Sequence, residues 1–158
     1  MTCEFESEMV DRGEAIELID RSDGTGVRLW HRTVPYSDDY VAVCVELSAD
    51  GMAASMRGLI LDYVAGRSLP GFISSLERDF GGWHGIRTWK SMDHELRIEA
   101  RHLTLGHVRL DWSLSRQLSE SPSWAARVVT YLEAGEQLRQ FAAAIHRFLL
   151  PDDAEHRR

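Results

Sequence analysis

Alternation of apolar and polar residues, which is typical of β-strands, recurs along most of this chain. The clearest case places Val41, Val43, Val45 and Leu47 on one face, with polar or small residues between them. Similar alternation marks residues 15–19, 27–32, 52–63, 96–101, 108–114 and 124–132. Gly58 shifts the phase of its run by one residue, as a β-bulge does. The pattern therefore predicts a series of strands joined by turns such as Asp23-Gly24.

Two segments instead show the 3.6-residue period of an amphipathic helix. The first has Leu69, Phe72, Ile73, Leu76 and Phe80 on one stripe, which predicts a helix over about 68–80 with Ser68 as its N-cap. The second predicts a helix over about 134–150 and has the same offsets, with Leu138, Phe141, Ala142, Ile145 and Leu149. Internal two-fold duplication explains the match, and so do two helices that cover similar sheets.

These elements predict an α+β fold, in which an antiparallel sheet of about seven or eight strands has both helices packed on one face. A chain of 158 residues fits a single domain, which we place at residues 14–150. Residues 1–13 read as an acidic arm, either loose or forming an edge strand, and residues 151–158 as a polar tail.

Charge and composition narrow the classes of function. The net charge of −7 disfavours a nucleic-acid binder. Residues 1–40 hold ten Asp or Glu against four Arg; a solvated acidic segment is the simpler interpretation, and a surface that attracts a basic protein partner is the alternative. No apolar run is long enough to span a bilayer, and the N-terminus lacks the apolar core of a signal peptide. We therefore expect a cytoplasmic protein with no membrane partner, and the sequence does not indicate an oligomeric state.

Candidate chemistry is sparse. The chain has no Gly-x-Ser-x-Gly, no phosphate-binding glycine pattern and no His or Cys pair at zinc spacing, so we expect neither a metal nor a cofactor. His102 and His107 flank a turn and could approach each other as metal ligands, but solvated turn residues are the simpler interpretation. Glu95 and Glu99 share a strand face with Arg97 and Arg101, which favours salt-bridged surface groups over a general acid–base pair. An enzyme is not favoured.

The segment from Gly81 to Trp89 is rich in glycine and tryptophan and has two interpretations. In one, Trp83 and Trp89 close the end of a helix–sheet core. In the other, Trp83, His84, Arg87 and Trp89 contact a ligand or a protein partner, since Trp and Arg are enriched at binding hot spots.

The run Phe80-Gly81-Gly82-Trp83, followed by Gly85, Arg87 and Trp89, resembles an uncharacterised bacterial family whose function is unknown. The likeness covers about residues 40–150, through Gly106-His107-Val108, Trp112 and Glu133 to Leu138. More distantly, the order of strands and helices resembles WapI-type immunity proteins. That resemblance implies protein binding without catalytic residues. The leading hypothesis is thus a small cytosolic protein-binding module, of the immunity type that neutralises a toxin. The alternative is a small-molecule binder or enzyme with a pocket at residues 81–89.

Overall fold

The computed structural model describes residues 9–11, 15–116 and 121–151. Nine strands and two helices lie within these ranges. Their order is β1 (Met9–Asp11), β2 (Ala15–Ile19), β3 (Gly26–Thr33), β4 (Val41–Ala49), β5 (Met52–Asp62), α1 (Ser68–Arg78), β6 (Ile86–Lys90), β7 (Leu96–Leu103), β8 (His107–Ser115), β9 (Ala125–Glu133) and α2 (Glu136–Leu149). The predicted α+β class, antiparallel pairing and two helices are confirmed.

The strands form two sheets, so the prediction of a single sheet is wrong. The first sheet has the order β1-β2-β3-β4-β5 and the second has the order β6-β7-β8-β9, each an antiparallel meander followed by its helix. Alternation along a strand defines its two faces but not its neighbours, which is why the sequence pattern did not reveal the break. The break falls at α1, since β5 and β6 are edge strands of different sheets. Internal duplication stays a prediction.

Local features of the first sheet follow the sequence closely. The ladder between β4 and β5 shifts register between Val43 and Val45, opposite Gly58, whose φ of 66° suits a bulge. Gly24 has a φ of 76° in the turn between β2 and β3. Met9–Asp11 of the predicted arm pairs with β2 and forms the edge of the sheet. The bulge and the hairpin turn are confirmed.

A single apolar core joins both sheets and both helices. α1 and α2 contact each other as well as strands of both sheets, instead of lying on one face of a common sheet. Phe141 of α2 meets Trp112 of β8 edge to face, with ring centroids 6.4 Å apart. Such fully buried side chains each contribute roughly 1.5–3 kcal/mol from their apolar area. The prediction that Phe80 completes the apolar stripe of the first helix is wrong. α1 ends at Arg78, and the side chain of Phe80 is 60% exposed.

The start of α1 is held by the buried carboxylate of Asp62, at the end of β5. Asp62 Oδ1 accepts the backbone N–H groups of Val64 (3.0 Å) and Gly66 (2.8 Å). Its Oδ2 accepts both the backbone N–H of Ser68 (3.0 Å) and the Ser68 hydroxyl. The prediction of Ser68 as N-cap is therefore wrong: Arg67 occupies that position without a side-chain bond, and Asp62 satisfies the donors from six residues upstream.

The same hydroxyl connects the two sheets. Trp89 Nε1, on β6, donates to Ser68 Oγ at 3.2 Å, so a hydrogen-bonded chain runs from Trp89 through Ser68 to Asp62. Near it, the backbone N–H of Met92 donates to the Leu61 carbonyl of β5 at 3.0 Å. The first strand of the second sheet is thus attached to the last strand of the first.

Replacing Asp62 by Asn should lower the free energy of unfolding by about 2–4 kcal/mol, because a charged acceptor of several donors is lost in a buried place. Urea unfolding of the purified protein measures this loss. The control is Asp50→Asn, at an exposed turn, which should change stability by less than about 0.5 kcal/mol. Equal unfolding midpoints for the two variants would contradict the role given to Asp62.

Candidate functional site

The Gly/Trp segment is half loop and half strand. After α1, Gly82 N–H donates to the Asp79 carbonyl at 2.8 Å, and the chain reverses through Gly82 (φ 132°) and Gly85 (φ 76°). Both dihedral angles lie in a region that favours glycine. Ile86 then begins β6, which the sequence pattern did not predict as a strand.

The four predicted contact residues do not share one environment. Trp89 is only 7% exposed and lies opposite Ile98 on the buried face of the second sheet. Its position matches the interpretation in which a tryptophan closes the core. Trp83 and Arg87 are half-buried, and His84 is exposed.

Trp83 lies between a cation and a second aromatic ring. Arg87 Cζ is 4.9 Å from the Trp83 ring centroid, and the ring of His102 meets Trp83 edge to face at 5.3 Å. Arg87 Nη1 is itself held by Asp79 Oδ2 (2.8 Å) and by the Ser75 carbonyl (3.3 Å). The indole and the guanidinium are therefore held in place by contacts within the chain.

Apolar side chains around this pair face solvent. Phe80 precedes Trp83 in the loop, and its carbonyl oxygen lies 3.0 Å from His102 Nε2. Leu105, in the turn between β7 and β8 at the same end of the sheet, is 94% exposed and has a φ of 69°. Ile86, opposite Arg101, is exposed on the other face of the sheet. We call the surface around Trp83 the Trp corner; it comprises Phe80, Trp83, Arg87, His102 and Leu105.

A surface groove of about 930 Å³ runs along β9, which is the edge strand of the second sheet opposite β6. Its walls are β9, the turn after β2 and the first turns of α2. Among its lining residues are Ile19, Asp23, Arg127, Tyr131, Gln137 and Gln140. At the turn, Ser22 donates to Asp20 from its hydroxyl (2.6 Å) and from its backbone N–H (2.8 Å), which lowers the pKa of the Asp20 carboxyl. The groove therefore keeps a charged carboxylate at that end.

No candidate metal cluster of three or more His, Cys, Asp or Glu residues occurs within residues 15–116 and 121–151. His102 pairs with Val108 and His107 pairs with Leu103 across the same hairpin, so the two histidines lie on opposite faces. In the same ranges, neither helix is long and apolar enough to cross a membrane.

A profile of one protein family matches residues 18–152. The chain belongs to DUF6228, a family of unknown function. This confirms the expected membership of an uncharacterised family. No curated protein and no solved structure matches the chain.

The sequence pointed to the Trp corner but missed part of it and all of the groove. Leu105 carries a weak signal, since an apolar residue before Gly106 in a turn is uncommon. His102 and the groove carry none, because both depend on which strands become neighbours. The assignment of Trp83, His84 and Arg87 as contact residues stays a prediction for this DUF6228 chain.

The two tryptophans make a matched test of structural role. Trp89→Phe removes an indole N–H that is bonded to Ser68, whereas the buried Trp83 Nε1 has no acceptor among the described residues. Trp89→Phe should therefore cost about 1–2 kcal/mol more stability than Trp83→Phe, measured by urea unfolding. Equal losses would show that the Ser68 bond contributes nothing.

Proposed function

We propose that this chain is a small protein-binding module whose contact surface is the Trp corner. The observation that carries the proposal is Leu105, which is almost fully exposed and holds a left-handed backbone conformation. A branched apolar residue with positive φ costs of order 1 kcal/mol or more, and exposure returns none of it. Burial of the Leu105 side chain against a protein partner supplies the favourable free energy that offsets this cost.

The surroundings of Leu105 suit binding. Trp and Arg are enriched at interface hot spots, and Trp83 and Arg87 are already fixed by Asp79 and His102. A pair that is ordered before binding loses little side-chain entropy on association. Exposed Phe80 extends the apolar part of the surface.

The charge distribution favours a basic partner. Residues 1–85 hold 15 Asp or Glu against 7 Arg, whereas residues 86–158 hold 10 Asp or Glu against 11 Lys or Arg. The excess of acid thus belongs to the first sheet and its flanking segments. It would steer a cationic protein toward the molecule and speed association.

Within this class, the specific function we favour is that of an immunity protein that neutralises a cognate toxin in the cytoplasm. The support is the likeness in layout to WapI-type immunity proteins, the acidic surface and the buried free thiol of Cys44, which fits a reducing compartment. The alternative, a small-molecule site at residues 81–89, has less support. The groove beside β9 is not lined by any residue of that loop, whose Trp83 and Arg87 contact each other.

Leu105→Gly separates binding from stability. Glycine adopts positive φ without strain, so the variant should unfold at a higher urea concentration, by up to about 1 kcal/mol of added stability. The same variant should bind its partner at least about tenfold more weakly, because an anchor is lost.

To measure binding, each protein encoded by an adjacent gene is co-expressed with the chain, and its affinity is determined by calorimetry at two salt concentrations. The control is Tyr63→Ala, which removes an exposed aromatic outside the Trp corner and should leave the affinity unchanged. Unchanged affinity in both Leu105→Gly and Phe80→Ser would contradict the proposed surface. An affinity that does not depend on salt concentration would contradict the proposed charge complementarity.

A further inference from the structure

β9 presents an edge whose backbone groups point away from the sheet. Ala134 N–H donates to the Gly106 carbonyl at 2.8 Å, in step with the ladder that pairs β9 with β8. Residues at even positions of β9 therefore bond to β8, and those at odd positions direct both N–H and C=O outward. Val129 and Tyr131 are two of these. The N–H of Glu133, also at an odd position, is accepted by Gln137 Oε1 at 2.8 Å.

The centre of this edge, between Arg127 and Glu133, lacks the usual protection against pairing. β9 is the last strand of its sheet, borders the groove and pairs with β8 without a register shift. Its nine residues contain no proline and no lysine, and their centre is Val128-Val129-Thr130-Tyr131. Natural edge strands are commonly interrupted by bulges, prolines or lysines. A long, regular edge of residues with high β-propensity can therefore pair with a strand from another chain.

The sequence of β9 is complementary to itself when two copies run antiparallel. With Thr130 opposite Thr130 of a second copy, Arg127 faces Glu133 of the second copy and Val129 faces Tyr131 of the second copy. Opposite charges and β-branched–aromatic pairs directly across an antiparallel ladder are stabilising. Moving the register by one step, so that Val129 faces Val129, places Arg127 opposite Tyr131 and loses both charge pairs.

We propose that two copies of this chain associate through β9, in that register, to form a continuous eight-stranded sheet with a two-fold axis at Thr130. The outward N–H and C=O groups of Val129 and Tyr131 then exchange hydrogen bonds with the second copy. Arg127 Nη2 donates to Asp111 Oδ1 at 2.8 Å within the chain, and its side chain is still 59% exposed, which leaves it accessible to Glu133 of the second copy. Tyr131, 53% exposed in the single chain, gains cover. The contact is isologous, so it closes at a dimer.

This inference is independent of the proposed function, because β9 lies outside the Trp corner. Sedimentation equilibrium of the full chain over a range of concentrations measures it. The wild type should fit a monomer–dimer equilibrium. Val129→Pro should weaken the dimer at least about tenfold, because it removes an outward N–H and leaves the bonds to β8 intact. Thr88→Pro is the matched control, at an outward position of β6 on the opposite edge, and should leave the dimer unchanged.

Charge reversal tests the register. Arg127→Glu and Glu133→Arg should each weaken the dimer, and the double variant should recover most of the loss, which a merely destabilised fold would not do. Circular dichroism checks folding of each variant. A wild type that sediments as a monomer at every concentration, or a Val129→Pro variant that dimerises like the wild type, would overturn the proposal. Single variants that weaken the dimer without recovery in the double would overturn the register.

Discussion

A buried carboxylate at the end of β5 is the interaction on which the arrangement of this molecule depends. Asp62 accepts hydrogen bonds from the loop that follows it and from Ser68, the first residue of α1. The Ser68 hydroxyl in turn accepts a hydrogen bond from the indole N–H of Trp89 on β6. A charged acceptor in so enclosed a place is stable only while its donors stay in position. The carboxylate therefore fixes where α1 starts, and through Trp89 it fixes where the second sheet begins.

The periodic pattern of the chain predicted most elements because the period of apolar residues is a property of each segment by itself. Val41 to Leu47 alternate along one strand, and Leu138 to Leu149 form one helical stripe, whatever lies across from them. The division into two sheets was not predictable in this way, since strand pairing depends on contacts between distant segments. β6 was not predicted as a strand because only Trp89 of its five residues is buried, so its sequence shows almost no alternation of apolar and polar residues.

The Trp corner shows the same limit for function. Its glycines and tryptophans are visible in the sequence, yet their roles differ: Trp89 belongs to the core, while Trp83 and Arg87 are fixed near the surface. Arg87 and Trp89 share one face of β6, and they differ in burial because Trp89 lies further along the strand, opposite Ile98, whereas Arg87 lies beside the loop and pairs with Asp79. Leu105 joins this surface only because the hairpin of β7 and β8 ends beside the start of β6.

Two meanders, each followed by a helix, thus share one core, and the surfaces proposed for binding lie at an end and at an edge of the second sheet. Because the two sheets share one core, we expect them to unfold as one unit. Native-state hydrogen exchange measures this by comparing backbone amides of β4 with those of β8 under increasing denaturant. The slowest amides of both strands should exchange with the same free energy, equal to that of global unfolding. A clearly lower free energy for β8 than for β4 would contradict it.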